Sequence, residues 1–258
     1  LDPTTSDFDV VKTQAIGFES ALRAYLKDCL SGSKCPFAGT VDQAIATIAQ
    51  LMADVTRSPI RAKDGRLLGA SSLFYAIILP LYSKDNWKYL SDLFTSLKQG
   101  TADYAFQLAD AYNDRNANGS YSSNTTEAFI AINCLDYKAD TSFATLQSEA
   151  GVLMAAAPIM GKAMAYSPSC GGWPFTSTRE HAAISAAGSA PIIVVGTTND
   201  PATPYVWAQN LAKELQNGHL VTYRGEGHTA YNKSNSCVND VVDNFFLKDT
   251  VPQKDPQC

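Results

Sequence analysis

Long hydrophobic runs are missing from this 258-residue chain: it has no continuous apolar stretch of the length a bilayer requires, so no membrane-spanning helix is expected. Charge is scarce as well. Asp, Glu, Lys and Arg make up 17% of the residues and the net charge is −5, with no basic cluster, which excludes nucleic acid as a partner class. Only three histidines occur, and no two cysteines stand in a C-x-x-C pair, so no metal site assembles by spacing and none is expected. No motif for an organic cofactor is present, and neither an internal repeat nor a low-complexity tract appears. The chain opens on Leu1 rather than Met, directly in LDPTTSDFD and without a signal peptide, which reads as a processed or truncated start.

Hydrophobic residues account for 45% of the chain, enough for a substantial globular core. Six cysteines are spread through it: Cys29, Cys35, Cys134, Cys170, Cys237 and Cys258. Asn-X-Ser/Thr triplets stand at Asn118, Asn124 and Asn232, candidate glycosylation sites. An even cysteine count together with sequons favours an oxidising, secretory environment, so the expected location is extracellular.

Up to residue 188 the periodicity is mainly helical. Helices are expected over residues 13–29, 40–57 (with Thr40 as N-cap), 86–99, 101–112 and 143–160. The segment 71–83 is very apolar, and Pro80 should kink or end a helix there. Residues 58–69 and 113–127 read as loops, and FIAINCLD over 129–136 is ambiguous between strand and helix. The loop SPSCGGWPFTST follows.

After residue 189 the rhythm changes. PIIVV over 191–195 is a continuous β-branched run, the pattern of a buried parallel strand. A helix over 204–217 follows, with Thr203-Pro204 as N-cap and first turn and Gly218 just past its end. A strand over 219–223 and a helix over 238–247 complete a strand–helix–strand–helix unit. The expected class is therefore α/β, with 1–188 a mainly helical region and 189–258 part of a parallel-sheet core. Two parallel strands make no stable sheet unaided, so other strands must supply neighbours.

Asp200 lies in the loop after the first of these strands, and His228 in a loop after the second, between Gly227 and Thr229. Ligands bind at the carboxyl ends of parallel strands. A histidine there can take and return a proton, and a carboxylate can fix its tautomer. Gly225 and Gly227 would let the histidine loop turn tightly. His181 and His219 lack this setting.

GTTNDPATPYVWAQNLAKEL, then LVTYRGEGHTAY, then a cysteine and a C-terminal cysteine, resembles the carboxy-terminal region of the secreted tripeptidyl-aminopeptidase-like serine peptidases, α/β-hydrolases related to prolyl aminopeptidases. DGRLLGASSLFYAIILPLYSKDNWKYLSDLF resembles the helical lid of that family, as does FIAINCLDY followed by CGGWP. The resemblance implies that Asp200 is the acid and His228 the base of a catalytic triad, in the chain order nucleophile, acid, histidine. It also implies the pairings Cys134 with Cys170, Cys237 with Cys258, and Cys29 with Cys35. For an aminopeptidase, a lid carboxylate would meet the substrate's α-ammonium, and Asp136 is the first candidate.

One departure bears on activity. The nucleophile should sit in G-x-S-x-G, but the only glycines four apart are Gly65 and Gly69, with Leu67 midway. The serine is therefore expected outside this chain, on a missing amino-terminal half of the hydrolase that would be its partner, and the chain alone is expected to be inactive. The complete protein is expected to be a secreted serine exopeptidase releasing residues or short peptides from peptide N-termini. The alternatives are another α/β-hydrolase, esterase- or lipase-like, and a non-catalytic secreted binding protein.

Overall fold

The computed structural model describes residues 5–165, 170–175, 178 and 181–258. It divides into two compact units, residues 22–178 and residues 1–21 together with 179–258. The first helix, α1 (Asp7–Ser31), contributes to both.

The unit of residues 22–178 is helical. After the loop closed by the Cys29–Cys35 disulfide comes α2 (Val41–Arg57). Its N-cap Thr40 accepts from the Gln43 amide while the Gln43 side chain accepts from the Thr40 amide, a reciprocal capping box. Next come α3 (Ala70–Leu81), α4 (Trp87–Lys98) and α5 (Asp103–Tyr112). A helix apolar all round must be enclosed. Accordingly α3 buries Leu73, Ala76, Ile77, Ile78 and Leu81 among α2, α4, α5 and a short α8 (Met160–Met164). Pro80 falls in its last turn, and the helix stops one residue later.

Three expectations change in this unit. Residues 58–69 are more than a loop: β1 (Ile60–Arg61) and β2 (Leu67–Leu68) pair antiparallel. Arg66 secures the hairpin, donating to both oxygens of Asp110 on α5 at 2.7 and 2.8 Å and lying 4.0 Å from the Phe106 ring centroid. Strands of two residues are too short to leave an alternating pattern. The ambiguous segment 129–136 is helical, within α6 (Thr125–Asp136). Its apolar residues Phe129, Ile132 and Leu135 recur three apart and are exposed, while Cys134 points inward and joins Cys170 in a disulfide. The expected helix over 143–160 is divided into α7 (Phe143–Ala156) and α8. The loop SPSCGGWPFTST lies partly outside the described residues. Asn118, Asn124 and Asn232 are all exposed. Among the described residues no helix is long and apolar enough to cross a membrane.

The other unit holds two parallel strands, β3 (Ile192–Asn199) and β4 (Gly218–Glu226), joined by α9 (Tyr205–Glu214), which packs on both. The register runs from Ile192 opposite Gly218 to Thr197 opposite Tyr223; a shift then sets Asn199 opposite Glu226. Thr203 does not cap α9: the N-cap is Pro204, with no side-chain cap bond. Gly218 opens β4 rather than ending α9, whose C-cap is Leu215.

Beyond α10 (Ser236–Lys248) the chain returns along the outer edge of β4. Thr222 donates its amide to the Pro256 carbonyl at 2.9 Å and accepts from the Cys258 amide at 2.7 Å. The Cys237–Cys258 disulfide fixes this tail to the start of α10. One edge of the sheet is thus covered, and among the described residues β3 pairs with β4 alone. Replacing Cys237 and Cys258 by serine is expected to cost about 3 kcal/mol, because the loop between them is some twenty residues long. Denaturant titration should read that loss, with faster amide exchange at Thr222 as its local sign.

Candidate active site

Asp200 and His228 follow the carboxyl ends of β3 and β4, which are neighbours in the sheet. The Nδ1 of His228 lies 3.0 Å from Asp200 Oδ1 and 3.1 Å from Oδ2. An ionised carboxylate only accepts, so the Nδ1–H is the donor and the proton-accepting role falls to Nε2. The Asp200 side chain is 4% exposed and that of His228 26%.

A buried carboxylate needs partners, and this one has many. Oδ1 accepts from the amides of Ala202 and Thr203 at 2.9 and 2.8 Å. Oδ2 accepts from the Thr203 hydroxyl at 3.1 Å and the Thr229 amide at 3.3 Å. The Asx-type turn Asp200-Pro-Ala-Thr203 therefore caps its own acid. Thr203 Oγ1 also sits 3.3 Å from His228 Nδ1, so this hydroxyl joins the pair rather than capping α9.

The histidine loop is shaped by backbone conformation. Gly227 has φ 99° and Thr229 φ 63°. A β-branched residue rarely adopts such a φ, and at this turn the Thr229 amide donates to Asp200. Gly225, expected to help the turn, lies inside β4 without a positive φ, so the turning is done at Gly227 and Thr229. Beyond the turn, the Tyr231 hydroxyl donates to Asp243 on α10 at 2.7 Å, and that bond raises the tyrosine pKa above its usual value by favouring the protonated phenol. The Asn232 amide donates to Asn239 on the same helix.

Of the residues named from sequence, Asp200 and His228 are brought together. Asp136 belongs to the helical unit, at the carboxy-terminal end of α6, a position the helix dipole does not favour for a carboxylate. His181 is exposed in coil and His219 is half-buried at the start of β4. Sequence reasoning gives Thr203 only an N-cap role and assigns none to Thr229. The D-P-A-T run carried a signal for the first, since an Asp three residues before a Thr invites a local turn; nothing in the sequence flagged the second. Among the described residues no group of three or more His, Cys, Asp or Glu side chains is placed to hold a metal.

Residues 157–258 match the model of the TAP-like protein family of α/β-hydrolases. The whole chain is 32% identical over 269 residues to the protein named serine protease Hip1 of Mycobacterium tuberculosis, covering 51% of that protein. It is also 32% identical over 263 residues to the protein named carboxylesterase B of the same organism, covering 50% of it. A protein named tripeptidyl aminopeptidase from Streptomyces lividans is 24% identical over 211 residues, a match spanning 81% of this chain and 38% of that one. The chain thus spans about half the length of the mycobacterial relatives it matches.

Proposed function

We propose that the TAP-like α/β-hydrolase region carried by this chain supplies the acid and the base of a serine hydrolase, Asp200 and His228. The observation that carries the reading is the 3.0 Å contact between a fully hydrogen-bonded, buried carboxylate and a partly exposed imidazole, both at the carboxyl ends of adjacent parallel strands. In this role Asp200 holds the proton on Nδ1 and stabilises the imidazolium. His228 Nε2 takes the proton from a serine hydroxyl as it attacks an acyl carbon, then returns it to the leaving group. No G-x-S-x-G occurs in these 258 residues, so the serine comes from outside them.

Within that class we favour cleavage at the amino terminus of peptides, in a secreted glycoprotein with sugars on Asn118, Asn124 and Asn232. Three disulfides support the secretory setting, and a relative named for tripeptidyl aminopeptidase activity supports the reaction. Asp136 is assigned to the substrate's α-ammonium. The competing reading is ester hydrolysis, favoured by the relative named carboxylesterase B at the same identity as the one named serine protease.

A panel run on the full-length protein separates them. Aminoacyl and tripeptidyl anilides with free amino termini should outpace both their N-acylated counterparts and simple esters of similar size. Asp136→Asn should raise KM for the free amines about tenfold, the scale of one lost charged contact, and leave N-acylated substrates unchanged. Faster turnover of esters than of any anilide would favour the second reading.

A further inference from the structure

The loops carrying Asp200 and His228 are braced by groups that have no chemistry of their own. One side of α1 lies along the acid loop. The Gln14 side-chain amide donates to the Ala202 carbonyl at 2.8 Å, and the Ser20 hydroxyl donates to Asn199 Oδ1 at 2.6 Å. Between them Gly17 comes so close that a Cβ built there would lie 2.8 Å from the Pro201 carbonyl oxygen, 2.9 Å from Pro204 Cγ and 3.2 Å from the Asp200 carbonyl oxygen. The brace continues across the sheet. The shift in register sets Asn199 opposite Glu226, and the Asn199 amide donates to the Glu226 carboxylate. Next to that tie, the Gly225 amide donates to Thr198 Oγ1 at 3.1 Å. Asn199 is the residue before Asp200, and Glu226 stands two before His228.

We infer that the amino-terminal half of α1 is a positioning element for the acid–histidine pair, acting through Gln14, Gly17 and Ser20. The inference rests on reading Asp200 and His228 as catalytic acid and base. Gln14 holds the Ala202 carbonyl and Ser20 the Asn199 side chain, on either side of Asp200, and Gly17 faces the Asp200 carbonyl itself, so the helix fixes where the carboxylate sits. Glycine inside a helix is a poor choice for stability, since alanine there would favour the helix. At Gly17 the absent side chain is what allows the acid loop to lie against α1. Catalytic groups must be held to within about half an ångström, and a Cβ at this position forces a displacement of that order.

The test uses the full-length protein with Gly17→Ala, Ser20→Ala and Ser20→Thr. Three readouts are needed: the low-field NMR signal of the His228 Nδ1 proton (identified by its loss in His228→Gln), kcat and KM on the best substrate, and the melting temperature. Gly17→Ala should lower kcat about 10- to 100-fold with KM almost unchanged, and weaken or abolish the low-field signal. Its melting temperature should fall modestly, because the Cβ meets the Pro201 carbonyl oxygen at 2.8 Å and the helix preference of alanine offsets only part of that clash. Ser20→Ala should move kcat and the signal in the same direction by less, and Ser20→Thr should restore both. Parent-level kcat and signal in both Gly17→Ala and Ser20→Ala would overturn the inference; if Gly17→Ala does not fold, the Ser20 pair decides alone. Full activity in His228→Gln and Asp200→Asn would overturn the acid–base reading instead. The low-field signal would then decide positioning alone, its loss in Gly17→Ala supporting the inference and its persistence ending it.

Discussion

Asp200→Asn and His228→Ala should each lower kcat of the full-length protein by about 10³- to 10⁴-fold with little change in KM. The alanine variant simply removes the base. The asparagine variant is the more informative, because it keeps the shape of the side chain while removing its charge and reversing hydrogen-bond direction at one atom. Its amide oxygen can still accept from the Ala202 and Thr203 amides, the bonds now made by Oδ1. Its NH₂ group then replaces Oδ2 and confronts the Thr229 amide, the Thr203 hydroxyl and the His228 Nδ1–H, all of which donate now. The cheapest adjustment moves the imidazole proton to Nε2, which leaves Nδ1 to accept and disables the base. Losing the bond from the Thr229 amide should also cost up to about 1 kcal/mol of stability, measurable by denaturant titration. A kcat within tenfold of the parent for either variant would remove the pair from the chemistry.

The strand-end placement of this pair was legible because it depends on local pattern. A β-branched apolar run followed by N-D-P, and a second strand followed by G-E-G-H, mark two loops on the same side of a parallel sheet. What stayed hidden lies in contacts that sequence spacing does not encode. Gln14, Gly17 and Ser20 look like ordinary helix positions, and only the fold brings them against residues 199–204. The sequence marks Thr203 as an N-cap because Thr-Pro before a helix is a good cap. A buried carboxylate three residues earlier offered its hydroxyl a stronger partner. Segment 129–136 was ambiguous because its apolar residues stay exposed, at 66%, 58% and 50% for Phe129, Ile132 and Leu135, so burial did not force a single period on the sequence.

Taken alone, these 258 residues should not react with a fluorophosphonate probe, and adding a segment that bears a G-x-S-x-G elbow should restore labelling. The ratio should exceed about 10³, since loss of the serine nucleophile alone costs a serine hydrolase about 10⁶ in kcat. The argument has a chemical and a structural part. Chemically, no serine here sits between glycines in the elbow spacing, so the Asp200–His228 pair has no activated nucleophile of that kind to serve. Structurally, β4 is enclosed between β3 and the tail ending at Cys258, whereas β3 pairs on one side only among the described residues. Alternate residues of this strand therefore present a row of amides and carbonyls suited to a further parallel strand. A strand seated there would shield that row and, if it belongs to the elbow segment, bring the serine to the sheet end where Asp200 and His228 lie. Without such a strand, the exposed edge should drive self-association. Light scattering should then find oligomers of the isolated chain, and amide exchange along β3 should slow when the elbow segment is supplied in trans. Stoichiometric labelling of the isolated chain, or a monomer that unfolds cooperatively with β3 already protected, would overturn the proposal that the serine and the neighbouring strand come from outside.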